Sequence, residues 1–310
     1  MKILVTGGAG FIGSNIVDAY VEAGHAVVVV DDLSSGKKSN LNPKAKFYQL
    51  DITSPELAKV FAAEMPDIVN HHAAQIDVRK SIADPALDIK INIIGVVNVL
   101  NCCRAIGGAK GKLPKIIFSS TGGALYGEVK DCAREDDPLF PVSAYAIDKR
   151  AAEMYLFAYA ENYGIKYTIL RYGNVYGPRQ DPHGEAGVVA IFCGKILENA
   201  APFIYGDGEQ LRDYVFVEDV VRANVLALTK GENNTFNIGT AYGGSVNELF
   251  KILKQAAKFT KDAIYQPPRL GELQRSVLSF DKARLELGWE PKVGLEEGLK
   301  KTLAYFSQIN

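Results

Sequence analysis

The sequence has few cysteines, and their spacing is unlike that of a metal site or a disulfide framework. The chain of 310 residues holds four of them: Cys102 and Cys103 are adjacent on a predicted helix, and Cys132 and Cys193 are isolated. Metal-binding cysteines usually occur in closely spaced pairs, and disulfide-stabilised secreted domains are short and rich in cysteine. The cysteines therefore favour a reducing compartment, and we expect a cytoplasmic protein without a bound metal.

Excess charge and long apolar runs are also missing. The formal net charge is −1, so the sequence lacks the basic surplus that marks an electrostatic nucleic-acid binder. No stretch approaches a membrane span, and the apolar run at the start is too short for a signal peptide. There is no internal repeat. At this length the chain can bury a large core, and we expect two lobes and no membrane partner.

The first motif is a glycine-rich turn between a strand and a helix. The apolar run Lys2–Thr6 is typical of a buried parallel strand, and Phe11–Glu22 has helical periodicity. Between them the glycines allow a tight turn and a close approach of the backbone to a pyrophosphate, while the helix start offers free N–H groups. The turn predicts a dinucleotide site formed by Gly7, Gly8, Gly10, Phe11, Ile12 and Gly13.

Carboxylates follow the next two predicted strands. Ala26–Val30 runs into Asp31 and Asp32, eighteen residues beyond Gly13. A carboxylate at that strand tip hydrogen-bonds the ribose hydroxyls and repels a 2′-phosphate, which favours NAD over NADP. Asp51 ends a further strand, where it is either placed to reach the adenine edge or is a simple strand-end residue.

Strand-like and helix-like segments alternate through the first half of the chain. This order predicts an α/β fold, a doubly wound parallel (Rossmann) sheet with a smaller C-terminal α/β substrate-binding lobe. Longer loops rich in glycine and proline begin at Gly173. We therefore expect a cofactor domain over residues 1–173, with a return segment near 213–240, and a substrate lobe mainly over 174–310.

A tyrosine and a lysine four residues apart supply the chemistry. Tyr145 and Lys149 lie in a helix-like run, where residues at this spacing share a face. Tyr126 and Lys130 have the same spacing, but a glycine follows Tyr126 at a strand end, so they need not share a face. A free tyrosine has a pKa of about 10, and a cation at roughly 6 Å lowers it by up to about two units at an effective dielectric constant near 20. The first pair predicts proton abstraction from a hydroxyl beside the dinucleotide.

Together these motifs and several later segments resemble the extended short-chain dehydrogenases/reductases, and specifically the UDP-glucose (UDP-galactose) 4-epimerases. The resemblance extends along nearly the whole chain. The matching stretches are Thr6–Gly13, Asp31–Leu33, Asp51–Ile52, His72–Ala74, Asn92, Ser119–Gly127, Tyr145–Lys149, Leu170–Asn174, Gly206–Gly208, Arg212–Asp219, Phe236–Gly239, Leu287–Trp289 and Pro291. It implies a tightly held NAD, a UDP-hexose substrate and two hydride transfers at C4 through a 4-keto sugar.

The resemblance also implies a role for each matching residue. Tyr145 would exchange the proton of the 4-hydroxyl, Lys149 would bond the nicotinamide ribose, and Thr121 would align the sugar oxygen, with Ser120 as the alternative. The implied cofactor contacts are Gly7, Gly10, Phe11, Ile12, Gly13, Asp31, Asp32, Leu33, Asp51, Ile52, His72, Ala73, Ala74, Asn92, Tyr145 and Lys149. The implied substrate contacts are Thr121, Asn174, Val188, Val189, Arg212, Arg269, Glu272 and Ser276. The two arginines would clamp the diphosphate, and His183 would help to order the nucleotide.

The preferred sugar and the reaction type leave alternatives. Serine at Ser276, the position beside the sugar, leaves room for a 2-acetamido group, so UDP-N-acetylhexosamines are also expected to fit. A 4,6-dehydratase needs an Asp-Glu pair where Gly122 and Gly123 stand. A uronate epimerase or decarboxylase stays open. A non-catalytic NAD-sensing module is the alternative from another class, but such a module could discard the proton-transfer residues, whereas this chain has Thr121, Tyr145 and Lys149 together. The family pairs the helices near 85–106 and 143–163 with a second subunit, so we expect a homodimer.

Overall fold

The computed structural model describes residues 1–182, 187–269 and 271–309. Its central layer is a seven-stranded sheet in the order β10-β6-β5-β4-β1-β2-β3, in which every pairing is parallel. The strands are β1 (Lys2–Thr6), β2 (Ala26–Asp31), β3 (Lys46–Gln49), β4 (Ile68–His71), β5 (Lys115–Thr121), β6 (Tyr167–Tyr172), β7 (Asn174–Tyr176), β8 (Phe203–Tyr205), β9 (Leu211–Phe216), β10 (Asn234–Ile238), β11 (Gly243–Ser245), β12 (Ile264–Gln266) and β13 (Arg275–Ser276). The predicted doubly wound parallel sheet is confirmed.

Helices cover both faces of this sheet. They are α1 (Phe11–Glu22), α2 (Leu57–Glu64), α3 (Val78–Ala83), α4 (Pro85–Ile89), α5 (Gly95–Lys110), α6 (Ala144–Tyr163), α7 (Val188–Leu197), α8 (Val217–Ala227), α9 (Val246–Ala256) and α10 (Leu295–Ile309), with a short 3-10 turn at Lys38–Asn40 and π-helical turns at Lys90–Ile94 and Ala283–Leu287. Helices α1 and α8 pack on one face, and α2, α5 and α6 pack on the other. Burial on both faces explains why the strands read as almost continuous apolar runs.

Helix α6, which carries the tyrosine–lysine pair, begins and ends where its sequence dictates. The Ser143 hydroxyl accepts the N–H of Ala146 at 3.2 Å, which satisfies one of the free donors of the first turn. At the other end Gly164 adopts a left-handed conformation, with φ of +74°, which closes the helix. The cap and the glycine therefore fix both ends of this 20-residue helix, and its first turns lie beside the end of β5.

The rest of the chain forms a smaller lobe. Strands β7, β11 and β13 flank β9 in a four-stranded sheet, and β8 pairs with β12. Helices α7, α9 and α10 enclose an apolar core that includes Phe192, Phe250 and Leu299. Between these elements the chain returns to the large sheet, because α8 packs on α1 and β10 pairs with β6.

The helical stretch Pro85–Ala109 corrects the expectation that no part of the chain approaches a membrane span. By length and composition alone this stretch could cross a membrane. In its most apolar window 44% of the residues are buried within the protein, and Val99, Leu100 and Cys103 pack against the sheet. A core helix passes the same test, so the finding is weak evidence for a membrane.

Candidate active site

The glycine turn is packed so closely that side chains would not fit at two of its positions. A Cβ on Gly13 would overlap the carbonyl oxygen of Gly7, and one on Gly7 would lie 2.6 Å from the Ala73 nitrogen. Gly7 also has a φ of +69°, which disfavours other residues. Helix α1 then begins with no side-chain cap among the described residues and no acidic residue in its first turn. Its N–H groups can therefore receive a pyrophosphate.

Asp31 fastens this turn to the tip of β2. Its carboxylate accepts the N–H of Ala9 at 2.9 Å and that of Leu33 at 2.8 Å. Burial raises the pKa of the Asp31 carboxyl, although these two hydrogen bonds oppose the shift. Asp32 is bonded locally, accepting the Ser34 N–H at 2.9 Å. Asp31 therefore holds the glycine turn against the end of β2, and both carboxylates place negative charge at this strand end.

The third strand and the loop after β4 line the same edge of the sheet. Asp51 accepts the Thr53 N–H at 2.7 Å, and Ile52 is buried against Gly95. His72, Ala73 and Ala74 follow β4 directly and cross beside the glycine turn. The glycine turn and these strand-end residues therefore converge, because the carboxyl ends of parallel strands meet at one edge.

Asn92 holds this loop from the adjoining π-helical turn. Its side-chain oxygen accepts the N–H of Gln75, and its amide nitrogen donates to the carbonyl of Gln75, each at 2.9 Å. The residue is 2% exposed. The Asn92 amide is therefore engaged in holding the loop that carries Ala73 and Ala74. Gln75 was not singled out from the sequence, because its importance follows from these backbone contacts.

Tyr145 and Lys149 lie on the same face of α6, next to the end of β5. Lys149 is 3% exposed, its Nζ donates to the carbonyl of Ser119 at 2.9 Å, and it lies 5.9 Å from the ring centroid of Tyr145. Burial lowers the pKa of Lys149 to about 8, while the negative charges of Asp88 and Glu153 oppose this shift. The lysine is thus close enough to stabilise a phenolate.

The structure separates Ser120 from Thr121. The Ser120 hydroxyl donates to Glu153 at 2.6 Å, inside the layer between β5 and α6. Successive residues of a strand face opposite sides, so Thr121 faces away from that layer, and it is only partly buried. Asn174 lies close by, since a Cβ on Gly123 would be 3.1 Å from its side-chain oxygen. This arrangement favours Thr121 as the hydroxyl that faces a substrate.

Two neutral histidines lie at the end of β4, where His71 is buried and His72 is partly buried. The Nδ1 atom of His71 pairs with the Thr6 hydroxyl at 2.9 Å, and Nε2 of His72 pairs with the Tyr172 hydroxyl at 3.1 Å. Burial lowers the pKa of both histidines to about 3, and the charge of Lys149 adds to the effect. In the described part of the chain, no three histidine, cysteine or acidic side chains converge as metal ligands would. Sequence reasoning missed Tyr172, although it lies within the matching stretch Leu170–Asn174.

Three of the residues expected to contact the substrate lie close together in the smaller lobe. Arg212 lies 3.6 Å from Glu272, and the guanidinium of Arg269 lies 3.9 Å over the ring of Tyr205. Arg269 and Glu272 border a cavity of about 310 Å³, whose lining residues are Tyr205, Gly206, Asp207, Gln210, Gln266, Pro268, Arg269, Glu272 and Gln274. Tyr205 and Gln210 were not predicted, since neither shows a motif of its own.

Ser276 joins this lobe to the end of β5. It lies beside Arg212 in the sheet and donates to the carbonyl of Gly123 at 3.2 Å. Val188 is partly buried at the start of α7, whereas Val189 is 1% exposed within the lobe core. Any ligand contact from Val189 would therefore come from its backbone. His183 lies outside the described residues.

Comparisons with known proteins agree with this geometry. Residues 3–239 match the model of the NAD dependent epimerase/dehydratase family. A UDP-glucose 4-epimerase of Mycolicibacterium smegmatis is 43% identical over 99% of this chain and 98% of its own length. The structure of UDP-glucose 4-epimerase from Thermotoga maritima with UDP-glucose is 53% identical, with a TM-score of 0.96 over 100% of this chain and 99% of that one. The UDP-glucose 4-epimerase of Thermus thermophilus, in complex with NAD, is 44% identical, with a TM-score of 0.94 over 99% of each chain.

Proposed function

Because the chain belongs to the NAD dependent epimerase/dehydratase family, we propose that it interconverts UDP-glucose and UDP-galactose through a 4-keto intermediate. The observation that carries the proposal is the convergence of Tyr145, Lys149 and Thr121 at the sheet edge that also holds the glycine turn. The glycine turn, the uncapped start of α1 and Asp31 fit NAD. NAD held there would supply a hydride acceptor and donor for C4 of the sugar.

Tyr145 removes the proton of the 4-hydroxyl and later returns it. The Lys149 ammonium, fixed by the Ser119 carbonyl, stabilises the phenolate. If the 5.9 Å from Nζ to the tyrosine ring centroid is taken as the charge separation, with an effective dielectric constant near 20, this charge contributes about 2.8 kcal/mol, or about two pKa units. Thr121 holds the sugar oxygen in line with the phenol. The remaining residues bind and orient the substrate.

The substrate is anchored through its UDP portion while the keto sugar turns. Arg212 and Arg269 would supply the guanidinium groups that suit a diphosphate. Glu272, which lies 3.6 Å from Arg212 and lines the cavity, would contact the ribose. The cavity of about 310 Å³ beside them offers room for the nucleoside. A fixed anchor lets either face of the sugar meet the same catalytic groups.

Two features bear on the competing reactions. A 4,6-dehydratase would need an acidic pair after Thr121, but a side chain at Gly122 would overlap Leu278, and one at Gly123 would crowd Asn174. Ser276 carries a small side chain, next to Arg212 and bonded to the Gly123 carbonyl, where a larger side chain would crowd a 2-acetamido group. We therefore propose that UDP-N-acetylhexosamines are also turned over.

The outer faces of α4 to α6 support a homodimer. Exposed apolar side chains occur along the two neighbouring helical stretches at Leu87, Ile89, Ile94, Ile147, Met154, Tyr155, Phe157 and Tyr163. Several exposed apolar side chains on neighbouring helices are typical of a surface that another chain covers. Light scattering during gel filtration should give twice the chain mass, and a Met154→Glu variant should elute as a monomer. The cytoplasmic location stays a prediction.

The experiment that tests the activity uses the purified protein without added cofactor. UDP-galactose is supplied, and UDP-glucose is measured through a coupled dehydrogenase, alongside an absorbance scan for copurified NAD. Turnover without added NAD supports the proposal. Bound NAD without any turnover of UDP-galactose would contradict the proposal and would leave a UDP-uronate enzyme or an NAD-sensing module as the alternatives.

A further inference from the structure

Asp213 is a buried carboxylate in the smaller lobe whose two oxygens accept hydrogen bonds from four donors. It lies on β9 and is 1% exposed. Its Oδ1 accepts the N–H and the hydroxyl of Thr240, each at 2.7 Å. Its Oδ2 accepts the N–H of Leu278 at 3.1 Å and that of Ala241 at 3.3 Å. An ionised carboxylate has about four lone-pair positions, and these donors occupy all of them.

The donors belong to two segments that are distant in the sequence. Thr240 and Ala241 follow β10, which pairs with β6 in the large sheet. Leu278 follows β13, which pairs with β9 in the smaller lobe. The Asp213 side chain therefore holds β9 to the end of the large sheet and also to the segment that carries Ser276.

Two glycines let β9 approach the large sheet closely at Asp213. A Cβ on Gly239, which follows β10, would lie 2.5 Å from the Asp213 Oδ2 atom. One on Gly173, which follows β6, would lie 2.7 Å from the Asp213 carbonyl oxygen. A larger residue at either position would push these elements apart. The close contact between the two lobes is thus built around this aspartate.

The segments that Asp213 holds carry residues proposed to bind the substrate. Arg212 precedes Asp213, and because successive residues of a strand face opposite sides, its side chain lies on the other face of β9, where it meets Glu272 at 3.6 Å. Ser276 lies beside Arg212 in the sheet and donates to the carbonyl of Gly123 at 3.2 Å. The positions of Arg212 and Ser276 therefore depend on where Asp213 holds β9 and the chain after β13.

Leu278 extends this connection to the end of β5. A Cβ on Gly122 would lie 2.4 Å from Cδ1 of Leu278, so the leucine side chain packs directly on the backbone at this position. Gly122 follows Thr121, which ends β5. By binding the Leu278 N–H, Asp213 thus fixes the distance between β9 and the Thr121 hydroxyl.

The donors require an acceptor at this position. Three of them are backbone N–H groups, which cannot accept a hydrogen bond. Burial raises the pKa of Asp213 to about 6, although the hydrogen bonds from Thr240, Leu278 and Ala241 oppose the shift, so the carboxyl is ionised at neutral pH. Asparagine has the same shape, but its amide nitrogen would face N–H groups and leave donors buried without a partner.

We propose that Asp213 is a positioning residue that holds Arg212 and Ser276 at the correct distance from Thr121 for a UDP-sugar. The effect on turnover rests on the proposed function, whereas the bonds that Asp213 accepts are a property of the fold. Without the carboxylate, β9 and the chain after β13 loosen from the end of the large sheet, and the UDP part of the ligand is bound less tightly. The glycine turn and Asp31, at the proposed NAD site, bond to other residues, so NAD stays bound.

Two variants and a control separate positioning from general destabilisation. Asp213→Asn keeps the size of the side chain and replaces acceptor sites with donors. Thr240→Val removes a hydroxyl that bonds Asp213 and is the milder change. The control is Asp219→Asn, because Asp219 is also a buried carboxylate, 0% exposed, but accepts the N–H groups of Lys292 and Val293, each at 3.1 Å.

Each protein is compared with the wild type by amide hydrogen exchange of residues 274–280, by calorimetric titration with UDP and by steady-state kinetics with UDP-galactose. In Asp213→Asn the exchange should be at least about tenfold faster, and the Kd for UDP should rise at least about tenfold, because buried N–H groups lose their acceptor. The KM for UDP-galactose should rise with the Kd, while kcat stays within about threefold, because the proton-transfer groups on α6 do not move.

The other two proteins should fall on either side of a simple threshold. Thr240→Val should change the exchange and the Kd in the same direction as Asp213→Asn, by about threefold each, because one of the four bonds is lost. Asp219→Asn should lower the unfolding temperature but leave the exchange of residues 274–280 and the Kd within about twofold of the wild type.

The proposal is overturned if either the exchange or the Kd is unchanged in Asp213→Asn, or if Asp219→Asn weakens UDP binding as strongly. If Asp213→Asn does not fold, Thr240→Val decides in its place, and wild-type values for this variant overturn the proposal. Failure of the proposed function looks different. In that case the exchange and the UDP binding change as described, while the wild-type protein epimerises no UDP-galactose.

Discussion

Replacing Lys149 by methionine tests how the phenol of Tyr145 is made acidic. The substitution keeps the length of the side chain and removes a charge that lies 5.9 Å from the tyrosine ring centroid. The lost stabilisation of the phenolate is about 2.8 kcal/mol, which corresponds to about a hundredfold lower kcat at pH 7. The loss should shrink as the pH approaches about 10, where a tyrosine ionises without help.

The assay is a pH profile of kcat at saturating NAD and UDP-galactose. Burial lowers the pKa of Lys149 to about 8. The wild-type profile should therefore fall as the pH rises through that value, because the ammonium is lost, and the variant should lack this limb. Lys130→Met is the control, since Lys130 is exposed and follows Tyr126 at the same spacing. A deficit that is equal at every pH would refute the electrostatic role and leave Lys149 as a cofactor ligand only.

Three further substitutions probe the rest of the site. Gly13→Ala should abolish copurification of NAD, because the added Cβ overlaps the Gly7 carbonyl oxygen; a normal 260 nm absorbance would contradict this. Asp31→Asn should reduce the preference for NAD over NADP by about tenfold or more, measured as a ratio of dissociation constants, since the charge that repels a 2′-phosphate is removed; an unchanged ratio would assign the selectivity to another group. Ser276→Tyr should suppress turnover of UDP-N-acetylgalactosamine while UDP-galactose is still epimerised; equal loss of both activities would place the residue elsewhere.

The large sheet could be predicted from the sequence because most of its strands are short apolar runs buried on both faces, and several are followed directly by a helix. The strand Lys2–Thr6 and the helix Phe11–Glu22 were predicted with the bounds that the structure has. The helix expected near 85–106 is divided in the structure into α4, a π-helical turn and α5. A π-helical turn leaves no mark in apolar periodicity, and here it holds Asn92 against Gln75.

The catalytic pair and the glycine turn were predictable because their spacing is local. The contacts that tune them are not local: Ser119 binds Lys149 across 30 positions, and Gln75 binds Asp88 through a loop. Likewise, sequence reasoning left Ser120 and Thr121 as alternatives. The choice depends on Glu153, 33 positions away, which accepts the Ser120 hydroxyl. Side-chain partners of this kind emerge only from the packing of α6 on β5.

The measurement that tests the central claim most directly is single-turnover epimerisation of UDP-galactose by the Tyr145→Phe variant. This substitution removes one hydroxyl from a partly buried side chain on α6, and NAD should still copurify. Epimerisation should fall by at least about a hundredfold, because the general base and acid for the 4-hydroxyl proton is lost. A variant that retains NAD and inverts the sugar at the wild-type rate would contradict the account.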